Sequence, residues 1–271
     1  MTDAKARRIF LLLAGILIGI AGLAGCLQDD THLQGGHWTE VNGHRLYYER
    51  YGSGRPLLLL HGGGESVHSS FGPVLLGFVA KHDVIAPEQV GQGHTPDIPG
   101  PLTYSAMMED TAALLMQLGV QDADVVGWSD GGNIALMLAL RYPKLVRRVV
   151  VSGANFAPEG LNEAEIADTR EQLKQWNASD PNGFDAKLLK MWLISPTKLE
   201  LSTELLAKID KPTLVMVGDQ DAIRLEHTIK LYRSLPKGQL CILPDTGHAT
   251  FQDRPVLSRT IIERFLNAVM E

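Results

Sequence analysis

The chain has 271 residues, 25 Lys and Arg against 31 Asp and Glu (a formal charge of −6), 45% hydrophobic residues and 21% charged ones. This is the balance of an ordinary globular protein. It excludes a disordered chain, and without a run of Lys and Arg it offers no footprint for nucleic acid. Two cysteines, Cys26 and Cys241, are too few for a disulfide framework, and the length suits one large α/β domain beside an N-terminal segment.

In that segment Lys5, Arg7 and Arg8 precede a nearly unbroken apolar run over residues 9–23, and small residues follow. This is the pattern of a secretory signal peptide. Leu23-Ala24-Gly25-Cys26 resembles the lipobox of bacterial lipoproteins. The resemblance implies that residues 1–25 are removed and that Cys26 carries a lipid anchor holding the protein to a membrane of the cell envelope. The alternative is an uncleaved single-span anchor, which also leaves the folded part outside the cytoplasm. Residues 26–36 are polar and glycine-bearing, as a short tether would be.

From residue 37 to the C-terminus, short β-branched runs alternate with longer helical ones. Residues 44–51 alternate like a strand, and residues 57–60 form a continuous apolar run, as in a strand buried on both faces. Residues 83–86, 124–127, 148–152, 212–217 and 239–243 are similar. Helical spacing marks residues 105–118, 131–141, 223–235 and 255–270. The alternation predicts an α/β fold with a mostly parallel central sheet flanked by helices. Between residues 152 and 212 the rhythm breaks. Three helical stretches (163–176, 183–193 and 199–209) predict a small cap over about residues 156–208, inserted after the sixth strand.

Three stretches carry chemistry. Val125-Val126-Gly127-Trp128-Ser129-Asp130-Gly131-Gly132 contains G-x-S-x-G between a strand and an Ala/Leu helix. A serine held proud of such a turn needs glycines two residues to either side, because a Cβ there would collide with the adjacent chain. The helix behind it favours negative charge on the reacting oxygen. Leu57-Leu58-Leu59-Leu60-His61-Gly62-Gly63-Gly64 ends a strand in glycines that can present amides to an oxyanion. Neither G-x-x-x-x-G-K nor G-x-G-x-x-G is present, which argues against a phosphate loop. Carboxylates follow a later strand at Asp219 and Asp221, and a histidine follows the next at His248. A histidine acting as base needs one carboxylate to fix its tautomer.

Together these motifs resemble the α/β-hydrolase superfamily. The resemblance implies a Ser-Asp-His triad of Ser129, Asp221 and His248, with Asp219 kept as the competing, turn-stabilising carboxylate. It also implies an oxyanion hole of the Gly63 and Asp130 amides, with Gly64 and Trp128 as candidate substrate contacts. Glu88 and Gln92 depart from the family's usual loop, and Asp130 is less usual after the nucleophile. Candidate pocket walls are Trp176, Phe184, Met191 and Trp192, with Glu65 and His68 as loop residues near the entrance. The implied activity is hydrolysis of a small-molecule carboxylic ester, with no cofactor and no metal. Cofactor-free haloperoxidases, perhydrolases and carbon–carbon bond hydrolases share the triad, and a non-catalytic ligand-binding module is the remaining alternative.

Overall fold

Strands covered on both faces need apolar side chains at successive positions, and the central strands supply them. In the computed structural model, which describes residues 35–194 and 201–268, eight strands form one sheet. The expected signal peptide, Cys26 and all but the last two tether residues lie outside the described residues.

β1 (Gly36–Val41) and β2 (His44–Gly52) make an antiparallel hairpin in which Val41 faces His44. The two turn residues, Asn42 and Gly43, have φ of 46° and 90°, as a type I′ turn requires. β1 is absent from the expected strands, although Asn-Gly between two alternating runs is a hairpin signal. β3 (Arg55–Leu60), β4 (His82–Glu88), β5 (Ala123–Trp128), β6 (Val146–Ser152), β7 (Thr213–Gly218) and β8 (Gly238–Leu243) complete the sheet in the order β1-β2-β4-β3-β5-β6-β7-β8. β2 runs antiparallel to both its neighbours, and the remaining pairs are parallel.

The described helices are α1 (Val67–Val79), α2 (Tyr104–Gln117), α3 (Asp130–Arg141), α4 (Glu163–Ser179), α5 (Phe184–Ile194), α6 (Thr203–Leu206), α7 (Leu225–Ser234), α8 (Thr250–Asp253) and α9 (Pro255–Asn267). Leu58, Leu60, Val125, Val149, Val151 and Val215 pack on the face covered by α2, α3 and α7. Leu57, Leu59, Val126, Val150, Leu214 and Met216 pack on the opposite face, under α1 and α9. The two-residue period of a strand thus divides each run between two cores.

α1 is not among the expected helices, because Gly72, Pro73 and Gly77 interrupt its pattern. Two features restore it. Ser66 and Ser69 form a capping box at its start. Pro73 has no N–H for the carbonyl of Ser69, and the Gln252 side chain donates to that oxygen instead, at 2.6 Å.

After β6 the chain makes a short 3-10 turn at Pro158–Gly160 and then the helical insert. The first two expected helices are α4 and α5. The third, expected over 199–209, is in its described part a single turn, α6. The last helix ends at Asn267 rather than 270, and residues 269–271 lie outside the described ones.

The sheet order creates one crevice. From β3 the chain steps outward to β4, then returns to place β5 on the other side of β3. The loops leaving the carboxyl ends of β3 and β5 diverge there, the usual ligand position in open α/β sheets.

Candidate active site

Ser129 stands at the end of β5 with φ 54° and ψ −118°, a strained backbone for a residue with a Cβ. The strain holds only because the chain crosses itself tightly. A Cβ on Gly127 would lie 2.2 Å from the Gly131 carbonyl oxygen, and one on Gly131 would lie 2.0 Å from that of Leu60. The glycines of the motif are therefore required by backbone contact.

The structure brings the three sequence-predicted residues together. His248 Nε2 is 3.0 Å from Ser129 Oγ, and His248 Nδ1 is 2.7 Å from Asp221 Oδ1. A carboxylate only accepts, so Nδ1 carries the proton and Nε2 is left to take one from the serine. Asp221 Oδ1 also accepts from the Ile223 amide at 2.8 Å, which fixes its angle. Asp219 instead accepts from the Thr246 amide at 3.1 Å and ties two loops together. Backbone hydrogen bonds, chiefly from Thr246, hold its carboxyl below the usual range.

Burial alone would push the His248 imidazole down. The charge and hydrogen bond of Asp221 outweigh it, with help from Asp130 and Glu165, and the group sits above its ordinary value. Trp128 lies outside the cavity wall. Its Nε1 donates to the His248 carbonyl at 2.8 Å and its ring lies 5.6 Å from the imidazole, so it braces the histidine loop from behind.

The loop of His61 to Gly64 is fixed by residues whose role the sequence conceals. The buried His61 donates from Nδ1 to the Gly62 carbonyl at 2.8 Å and accepts from the Gln89 amide at 2.9 Å, and burial holds it neutral by lowering its pKa. Gln92, one of the departures from the family loop, accepts from the Gly64 amide at 2.7 Å. Gly64 thus has its amide engaged and does not line the cavity. Among the described residues, no hydrogen bond occupies the amides of Gly63 or Asp130, the two expected donors. Glu88 is fully buried and accepts from the Val67 amide and from His94, a structural post for the same region.

A narrow cavity of about 40 Å³ opens over Ser129 and His248. Of the four expected wall residues only Trp192 lines it. Met191 is buried in the core, Phe184 packs toward Gly91, and Trp176 does not reach the cavity. His68 pairs with Glu49 at 3.3 Å instead of entering the cavity, and Glu65 is likewise not part of the wall. The wall that sequence reasoning missed comprises Asn155, Leu161, Leu189, Ile223 and one face of α4: Glu165, Asp168, Thr169 and Gln172, at the i, i+3, i+4, i+7 spacing of a helix face. That spacing was visible, but its residues are polar. Burial and the neighbouring Asp168 raise the pKa of Glu165.

Against this geometry the comparisons are specific. The family model for the alpha/beta hydrolase fold matches residues 55–191. The chain belongs to the α/β-hydrolase fold family, and it is an enzyme, a hydrolase. A 2-hydroxymuconate semialdehyde hydrolase of Pseudomonas sp. (strain CF600) is 36% identical over 252 residues, covering 79% of this chain and 88% of the relative. The serine hydrolase BPHL of Mus musculus is 28% identical over 228 residues, covering 77% and 78%. The crystal structure of the enol-lactonase from Burkholderia xenovorans LB400 superposes with a TM-score of 0.71 at 20% identity, over 86% of this chain and 100% of that one, a likeness of fold.

Proposed function

We propose that this hydrolase cleaves a small carboxylic ester through an acyl-enzyme on Ser129. The observation that carries the reading is the unbroken chain from Asp221 Oδ1 through His248 to Ser129 Oγ, at 2.7 and 3.0 Å, beneath a narrow cavity. His248 Nε2 takes the hydroxyl proton as Oγ attacks the carbonyl carbon. The amides of Gly63 and Asp130 hold the oxyanion. Collapse breaks the bond to the leaving alkoxide, which receives the proton from His248, and water then repeats the sequence on the acyl-enzyme.

Carbon–carbon bond cleavage is the second reading, favoured by the 36% identical relative. A muconate carries a carboxylate. The cavity is lined by Asp130, Glu165 and Asp168, and among the described residues no lysine or arginine lines it. That charge disfavours an anionic substrate and supports a neutral ester. Attachment to a membrane through Cys26 remains part of the proposal, and mass spectrometry of the mature N-terminus tests it.

The central test pairs a fluorophosphonate probe with p-nitrophenyl esters of increasing chain length. The wild-type protein is expected to label and to turn over the shortest esters. Ser129→Ala is expected to fold normally, take no label and lose at least about 10³-fold in kcat. Neither labelling nor turnover by intact wild-type protein would leave a binding module as the better account.

A further inference from the structure

The side chain of Asp130 is the least expected feature of the site, and the proposed oxyanion chemistry uses only its amide. The residue is 4% exposed. Its Oδ1 accepts from the Tyr104 hydroxyl at 2.5 Å, and its Oδ2 accepts from Trp192 Nε1 at 2.9 Å. Tyr104 begins α2, in the body of the fold, whereas Trp192 belongs to α5, in the insert. One carboxylate therefore bridges the sheet domain and the helices above it.

The bridge lies directly on the oxyanion loop. A Cβ on Gly63 would lie 2.1 Å from Asp130 Oδ2 and 3.0 Å from Trp192 Cζ2. The carboxylate and the indole therefore pack on the glycine whose amide is one proposed oxyanion donor. Trp192 is also a wall of the cavity, while Tyr104, 3% exposed, is not. Few other polar contacts hold this helix down. Among the described residues Lys187 supplies them, to Asp97 at 2.8 Å and to the Ile98 carbonyl at 2.7 Å, beside apolar packing through Leu188 and Met191. Apolar contacts are non-directional and permit sliding, whereas a carboxylate shared between two donors fixes a position.

We propose that Asp130 is a positioning residue: its carboxylate, held by Tyr104, pins Trp192 over Gly63 and so sets the width of the acyl cavity. The inference rests on the hydrolase reading and adds to it how acyl length is limited. A broken bridge lets α5 ride outward, and longer acyl groups gain access to Ser129 more than short ones do.

The test measures second-order labelling rates of Ser129 by an ethyl and a dodecyl fluorophosphonate. In this reaction Oγ forms the bond to phosphorus, fluoride leaves, and His248 takes the proton. Trp192→Phe removes the N–H donor but also shrinks the wall. Tyr104→Phe touches no wall; its hydroxyl meets Asp130 and also the Asn133 side chain, so it is decisive when read together with the Asp130 variant. Tyr104→Phe is expected to raise the dodecyl-to-ethyl rate ratio about five-fold, the effect of one lost hydrogen bond. The double variant is expected to gain less than the product of the single gains, because both act through one group. Should Tyr104→Phe fail to fold, Asp130→Ala serves. It removes both acceptor oxygens of the bridge and keeps the backbone amide, and the same rise is expected. A ratio unchanged in Tyr104→Phe while Trp192→Phe shifts it would overturn the positioning role and leave only wall volume. A purely structural role would lower the melting temperature and leave the ratio unchanged, which also overturns it. Wild-type protein that takes neither probe would instead overturn the hydrolase reading.

Discussion

The imidazole of His248 lies among three carboxylates, Asp221 in contact and Asp130 and Glu165 further off. Burial opposes its protonation, but their combined charge prevails and raises its pKa. The proton must be absent from Nε2 for Ser129 to be activated. As pH falls through the raised pKa the base is lost, so the acid limb of kcat/KM for a short ester is expected to have its midpoint above about 6.5, the ordinary histidine value. Asp130→Asn removes one of these charges and is expected to move that midpoint to lower pH. A pH profile of the two proteins checks the direction, and an upward movement would contradict the assigned electrostatics. The same residue thus contributes a backbone amide, a bridge and a charge, three roles that a single letter in the sequence does not separate.

At the scale of elements, each functional side chain is aimed by the end of a strand. β5 delivers Ser129, the loop after β7 delivers Asp221 and the loop after β8 delivers His248. β6 delivers no candidate catalytic side chain, yet the loop after it is equally constrained. Gly153, directly after β6, has φ 61°, and a Cβ there would lie 2.8 Å from His248 Cε1 and 3.3 Å from Asp221 Oδ2. The imidazole–carboxylate pair rests on bare backbone. Gly153→Ala is expected to cost about 1–2 kcal/mol of stability from the left-handed backbone alone. The displaced imidazole is expected to lower kcat/KM by about 100-fold, the usual effect of an error near 1 Å in a reacting group. Denaturant titration beside ester kinetics would separate the two losses. α4 carries a different lesson: among its residues with described side chains only Thr169 is buried, and its polar face closes the cavity.

The whole molecule separates stability from chemistry along the sheet. At the opposite end of β5 from Ser129, the fully buried Asp124 accepts from Arg147 through both oxygens, at 2.8 and 2.5 Å. The pair lies roughly 17 Å from the serine, about five strand residues away. Asp124→Asn leaves the guanidinium without its counter-charge and is expected to cost about 3 kcal/mol, read as a lowered urea midpoint. The kcat/KM of the folded variant is expected to stay within about two-fold of wild type, as for sites too distant to couple. A large kinetic loss in folded protein would show that the two ends of the sheet communicate.

Much of this was legible beforehand, for a reason of range. Alternation, continuous apolar runs and the glycine spacing around Ser129 are local, so they mark the strands, the elbow and the order of Ser, Asp and His without any folding. α1 was hidden because Pro73 breaks the local pattern, and its repair by Gln252 comes from 180 residues away. The wall of the cavity departs from expectation in which helical residues face the serine: Leu189 and Trp192 of α5 do, while their apolar neighbours do not. In the insert the buried Met191 and the half-buried Phe184 face the core, and the polar stripe of α4 faces the serine.

By itself, then, the chain determined the architecture and the kinds of group brought to the strand ends, since both follow from side-chain period and backbone sterics within a few residues. Only the folded arrangement decided that Gln92 ties down the loop after β3, that Gly153 lies under the imidazole and that Asp130 joins the insert to the elbow. Each of these joins segments distant in the chain, and no periodicity encodes a contact whose partner lies in another element.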